Sequence, residues 1–166
     1  MPKPLLDRCN PDSVAEFRAA ARERYADGNA LADAGRRTGA IYSWGYSVEM
    51  LLKAAVFEIL ASSPGDEIQI TDIKAAMKVA ADLGYVWTGN AHNLVGWAEL
   101  LVRVRSDLPG CAYPNPAFGA GVIARTTRVY ALWRETLRYH KNVAAVRELE
   151  TVRAGVAWLM TNRNRL

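Results

Sequence analysis

Cysteine is scarce in this sequence: only Cys9 and Cys111 occur, far apart and with no CxxC pair. That excludes a disulfide framework and suits a reducing cytoplasm. Long apolar runs are missing too, none nearing the roughly 18 residues that open a membrane-span reading. The opening MPKPLLDRCNPD has no apolar centre of a secretory signal. A cytoplasmic protein with no membrane segment is expected. Histidine is as rare as cysteine, and Cys9, His92, Cys111 and His140 show no short spacing that would pre-organise zinc. No metal and no cofactor is expected. Strong charge of one sign is also lacking: 21 Lys and Arg against 17 Asp and Glu leave a net +4. The pI of 9.2 leans slightly towards an anionic partner such as nucleic acid or nucleotide. No internal repeat and no low-complexity linker divides the chain.

What is present suits one globular domain over residues 1–166, with an irregular start over 1–10 and a frayed end over 161–166. A domain near this size buries about 70% of its unfolded surface. Hydrophobic residues make up 51% and charged residues 23%, an ordinary soluble composition. The organising stretch is GAIYSWGYSVEMLLKAAVFEIL, Gly39 to Leu60. Ile41, Trp44, Val48, Leu51, Leu52, Ala55 and Ile59 share one side of a 3.6-residue helix. Tyr42, Tyr46, Glu49, Lys53 and Phe57 lie on a second side. A helix apolar around most of its circumference is a central one. Glu49 four residues before Lys53 is the favourable order for an ion pair on one face. The ordinary reading of that pair is half-exposed and of little energetic worth; the sharper reading has it lining a cleft.

Around this helix the spacing predicts others. Asn10-Pro11 opens a helix to about Ala34, with Val14, Phe17, Ala21 and Tyr25 on its buried stripe. Ser62-Ser63-Pro64-Gly65 ends the central helix. Glu67 to Ile70 reads as a short extended piece, and Ile73 to Leu83 as a short helix closed by Gly84. Ala91 to Arg105 carries Leu94, Trp97, Leu101 and Val104 at helical intervals. Ser106 to Pro116 is the longest loop. A further helix is expected from about Ala117 to Tyr139, and a last one capped by Asn142. The result is an all-α antiparallel bundle of four to five main helices plus short ones.

Three groups carry candidate chemistry. Phe118 to Ala124 contains GxGxxA, but no strand precedes it, so close helix packing explains it better than a dinucleotide loop. Arg134, Arg138 and Lys141, four and three apart, share a helix face at a C-terminal end, where the helix dipole already favours cations. The functional reading of that patch adds Tyr139 and His140 for stacking or proton transfer. His92 stands at a helix start after Gly89-Asn90, either satisfying backbone groups or poised near neutral pH.

Taken in order, GYSVEMLLKA, AHNLVGWAELL, LRYHKN and VAWLM resemble the HEPN superfamily of small helical domains in prokaryotic toxin–antitoxin, defence and nucleotide-associated systems. The block Gly45, Tyr46, Glu49, Lys53, Ala54 is its most characteristic part, and His92-Asn93-Leu94 and Arg138-Tyr139 follow in order. The resemblance spans about Gly39 to Met160. It implies an antiparallel bundle paired as a homodimer, with a cleft near the interface and a nucleotidyltransferase-type antitoxin as a candidate partner. Metal-independent ribonucleases of the family carry Arg and His separated by four to six residues, which Arg134 and His140 satisfy. Histidine would take a proton from a ribose 2′-hydroxyl and arginine would stabilise the phosphorane. Two features oppose that reading: Glu135 would repel a phosphate, and Arg138-Tyr139 aligns with the RY block of non-nuclease relatives.

The reading preferred is therefore a HEPN-like nucleotide- or RNA-associated binding module, on the toxin side of such a system. Tyr46, Glu49, Lys53, His92, Arg138 and Tyr139 are its expected ligand contacts. Lys53 and Arg138 would meet phosphate, Tyr46 or Tyr139 would stack on a base, and Glu49 would orient Lys53. The alternatives are a metal-independent endoribonuclease using Arg134 and His140 across a homodimer, and a structural interaction subunit with no ligand.

Overall fold

A computed structural model describes residues 4, 9–60 and 65–166. Among them are six α-helices, one 3-10 turn and no strand. Helix α1 spans Val14–Asp33 and α2 spans Arg37–Leu60. α3 covers Ile70–Asp82, α4 Leu94–Asp107, α5 Pro116–Leu132 and α6 Val146–Thr161. The 3-10 turn Glu135–Tyr139 lies between α5 and α6.

α1 starts at Ser13 rather than at Asn10-Pro11. The Ser13 hydroxyl accepts from the Glu16 N–H at 3.2 Å, closing the first turn. Val14, Phe17 and Ala21 are buried as their spacing predicts. The short turn Ala34–Arg36, with Gly35 at φ +71°, lays α2 back along α1. Gly28 permits the close approach, because a Cβ there would come within 2.3 Å of the Trp44 indole. α2 is the centre of the fold and packs on α1, α4, α5, α6 and the 3-10 turn. Trp44, Val48, Leu52 and Val56 are each fully enclosed.

Elsewhere the chain departs from expectation at its caps. Residues 62–64 of the helix-breaking segment lie outside the described residues. The extended piece at 67–70 forms one backbone link, Ile68 N–H to the Asp12 carbonyl at 2.7 Å, and α3 begins there. The Gln69 N–H is held by the Asp72 carboxylate at 2.8 Å. α4 starts at Leu94 because the Asn93 side chain accepts from the Gly96 N–H at 3.1 Å.

The largest difference is in α5. The apolar spacing predicts helix to Tyr139, but the helix ends at Leu132. Trp133 turns inward to full burial and donates from Nε1 to the Tyr42 carbonyl at 3.0 Å. Arg134, Arg138 and Lys141 therefore do not share a helix face. Asn142 does not cap α6, where Glu148 binds the Ala145 N–H at 2.7 Å. At the C-terminus, Leu166 is buried, and the Arg165 guanidinium lies 4.3 Å from the Phe118 ring centre.

Candidate functional site

Two polar arrangements stand out, one enclosed and one open. The enclosed one is centred on Glu49, whose side chain has no exposed surface. Its Oε1 accepts from Lys53 Nζ at 2.6 Å. Its two oxygens lie 3.1 and 2.9 Å from His92 Nδ1. A carboxylate can only accept, so His92 carries its Nδ1 proton towards Glu49. Lys53 is 5% exposed, and its ammonium sits 5.5 Å from the Trp97 ring centre. The pair is neither half-exposed nor open to a cleft: it is a buried ion pair closed by a histidine. That suits its surroundings, since charge removed from water persists only when paired and hydrogen-bonded.

The loop before α4 is fixed to this trio. The Asn90 side chain accepts from the His92 N–H at 2.9 Å and donates to Glu135 Oε1 at 3.0 Å. Trp97 Nε1 donates to the Ala91 carbonyl at 2.8 Å. The Glu49 hydrogen bond raises the His92 pKa above 6.5, opposed by burial and reinforced by the Glu49 charge. Asn90 and a backbone N–H lower that of Glu135. Tyr46 packs edge-on against Tyr42, His92 and Trp133, with ring centres 5.0, 6.1 and 5.3 Å away. Burial, then the Tyr42 and Glu49 side chains, push its phenol up to about 12.

The open arrangement is a hollow of about 250 Å³ between the α1–α2 turn and the segment after the 3-10 turn. Arg36, Tyr42, Arg138, His140, Lys141 and Asn142 line it, and its described lining residues include no carboxylate. Its floor is built by long-range hydrogen bonds. Asn142 Oδ1 accepts from the Thr38 N–H, and its Nδ2 donates to the Gly35 carbonyl, both at 3.0 Å. The Thr38 hydroxyl accepts from the Val143 and Ala144 N–H groups, each at 2.9 Å. The start of α2 is thus capped by a residue far along the chain.

The expected site residues divide between these places. Tyr46, Glu49, Lys53 and His92 come together in and around the enclosed trio. Arg138 and His140 meet at the open hollow, joined by Arg36 and Lys141. Tyr139 is exposed beside it, with the Arg138 guanidinium 4.7 Å from its ring centre. Arg134 lines no part of the hollow that holds His140. It donates to the Tyr130 and Trp133 carbonyls, and its guanidinium is stacked 3.9 Å from the Tyr130 ring centre. Lys53 is not presented to the hollow either, because its ammonium is spent on Glu49.

Comparison with protein-family models, with curated proteins and with solved structures finds no match to this chain. What the geometry defines among the described residues is an all-α protein with a buried charge cluster at Glu49 and a cationic cleft lined by Arg36, Arg138, His140 and Lys141. Arg36, Tyr42 and Asn142 were not expected at the site. Arg36 sits in a turn whose arginines look like ordinary solvated charge. Hydrogen bonds of Asn142 with Gly35 and Thr38, and of Thr38 with Val143 and Ala144, bring it to Arg138, and no sequence spacing encodes those pairings.

Proposed function

We propose that this protein is a nucleotide- or RNA-binding module of HEPN type, gripping phosphate in the cleft formed by Arg36, Arg138, His140 and Lys141. The carrying observation is that these four side chains, from two distant segments, surround one hollow whose described lining holds no carboxylate. Guanidinium groups bind phosphate oxygens in pairs, and a lysine adds a mobile point charge. Tyr42 gives the same hollow an aromatic wall, the combination that single-stranded nucleic acid binders use. The resemblance of GYSVEMLLKA and LRYHKN to HEPN domains supports the same reading. It carries with it a homodimer and a nucleotidyltransferase-type partner.

The test is fluorescence anisotropy with a short labelled single-stranded RNA over a salt series. Affinity should fall steeply with salt, with a log–log slope of about −0.7 per phosphate neutralised. Arg138→Gln and Lys141→Gln should each weaken binding and flatten that slope. Binding that is weak at low salt, or indifferent to both substitutions, would overturn the reading.

A further inference from the structure

The cationic cleft has a neighbour. A second hollow of about 260 Å³ is lined by Ala20, Arg24, Tyr42, Tyr46 and Met50. Tyr42 belongs to both, so the two adjoin along one side of α2. Their chemistries differ sharply: one is cationic with polar side chains, the other aromatic and apolar. Among its described lining residues the second holds a single charged group, Arg24, itself paired with Asp27 at 2.7 Å. Tyr46 is fixed there by its three edge-on ring partners, so the aromatic wall exists before any ligand arrives. Its phenol stays uncharged to about 12 and does not repel an anion next door.

We infer that the two hollows take one nucleotide unit, its phosphate in the Arg36–Arg138–Lys141 cleft and its base against Tyr42, Tyr46 and Met50. This rests on the phosphate-binding reading and narrows it to a nucleoside monophosphate or the corresponding unit of RNA. Bare polyphosphate or a sugar phosphate would leave the aromatic hollow empty. A base has flat π-faces for the tyrosines, and a thioether packs well against aromatic rings. The Arg24 guanidinium, on the wall contributed by α1, can stack on the face of the base that the tyrosines leave open. Pre-formed aromatic walls with few polar groups are the usual make-up of small-molecule sites.

The test compares adenosine 5′-monophosphate with ribose 5-phosphate by isothermal titration calorimetry at low salt. The monophosphate should bind the wild-type protein about tenfold or more tightly than the sugar phosphate, as base stacking predicts. Ala20→Trp, which fills the aromatic hollow from α1, should bring the nucleotide down to the affinity of the sugar phosphate. Equal affinity of both ligands, each lost in Arg138→Gln/Lys141→Gln, would overturn the base compartment and leave the phosphate cleft standing. Failure of both ligands to bind would overturn the cleft and the compartment together. The wild-type comparison decides the matter even where Ala20→Trp does not fold.

Discussion

Trp133 rests its indole on Gly45: a Cβ at that glycine would come within 2.0 Å of the ring. The ring is rigid and buried, so it has nowhere to retreat. Gly45→Ala is expected to cost about 1–3 kcal/mol through overpacking, seen as a lower urea midpoint. The same substitution should weaken RNA binding, because Trp133 anchors the segment that carries Arg138, His140 and Lys141. Retained stability would show that the indole does not dock on α2 as described.

Removing Glu49 leaves the Lys53 ammonium enclosed without its carboxylate. Breaking a buried pair from one side typically costs about 3–5 kcal/mol. Glu49→Leu should therefore be severely destabilised in chemical denaturation. The double variant Glu49→Leu/Lys53→Met should recover much of the loss, since neither charge is then stranded. A double variant as unstable as the single one would point instead to the broken His92 contact as the main source of the loss.

His92 faces Glu49 and Lys53 from α2 and Glu135 from the 3-10 turn. Its pKa is raised in the folded protein, so folding favours the protonated ring. The stability it contributes is fully present below 6.5 and is lost as pH rises through the folded value. Thermal melts over roughly pH 6 to pH 9 should show wild type losing more stability than His92→Gln. Glu135 has the opposite sign: its pKa is lowered, so its contribution is lost as pH falls below 4.5 through the folded value. A His92→Gln profile with the same slope above neutrality would refute the assignment.

Asn142 caps α2 across the fold, and Asn142→Ala removes both its hydrogen bonds. A lost N-cap costs about 0.5–2 kcal/mol. Hydrogen exchange should report the loss locally, with the amides of Thr38 and its neighbours exchanging faster while the α4 amides keep their protection. Uniform loosening of the whole molecule would argue against a local cap.

The Arg134 guanidinium is committed to Tyr130, away from the hollow that holds His140. RNA incubated with the protein in EDTA should therefore remain intact on a denaturing gel. Cleavage that persists under chelation and disappears in His140→Ala would establish the ribonuclease reading instead.

The central helix could be read from residue spacing because it is apolar around most of its girth and its sequence is followed by a proline–glycine pair. The enclosure of Glu49 and Lys53 could not, because burial of a charge depends on what covers it. Here the cover is His92 and Trp97, from another helix and its entry loop. The end of α5 was hidden for a related reason. Leu132, Trp133 and Leu137 keep a helical rhythm with no glycine or proline among them, and local propensity there favours continuation. Trp133 breaks the rhythm to fill the space that Gly45 leaves on α2. A glycine amid the bulky residues of α2 was the one local sign of that docking. Leu166 was similarly opaque, since a polar tail with one terminal leucine gives no periodicity to read.

The capping of α2 by Asn142 has a consequence for the newborn chain. The two partners stand 104 positions apart, so during translation the second helix emerges long before the residue that closes its first turn. Ribosomes add roughly 5–20 residues each second, which leaves that helix start bare for several seconds. Any polypeptide truncated ahead of Arg138 would keep the tyrosines of α2 yet lack three of the four basic-cleft residues. On the proposed reading, phosphate capture therefore requires a chain extended past Lys141.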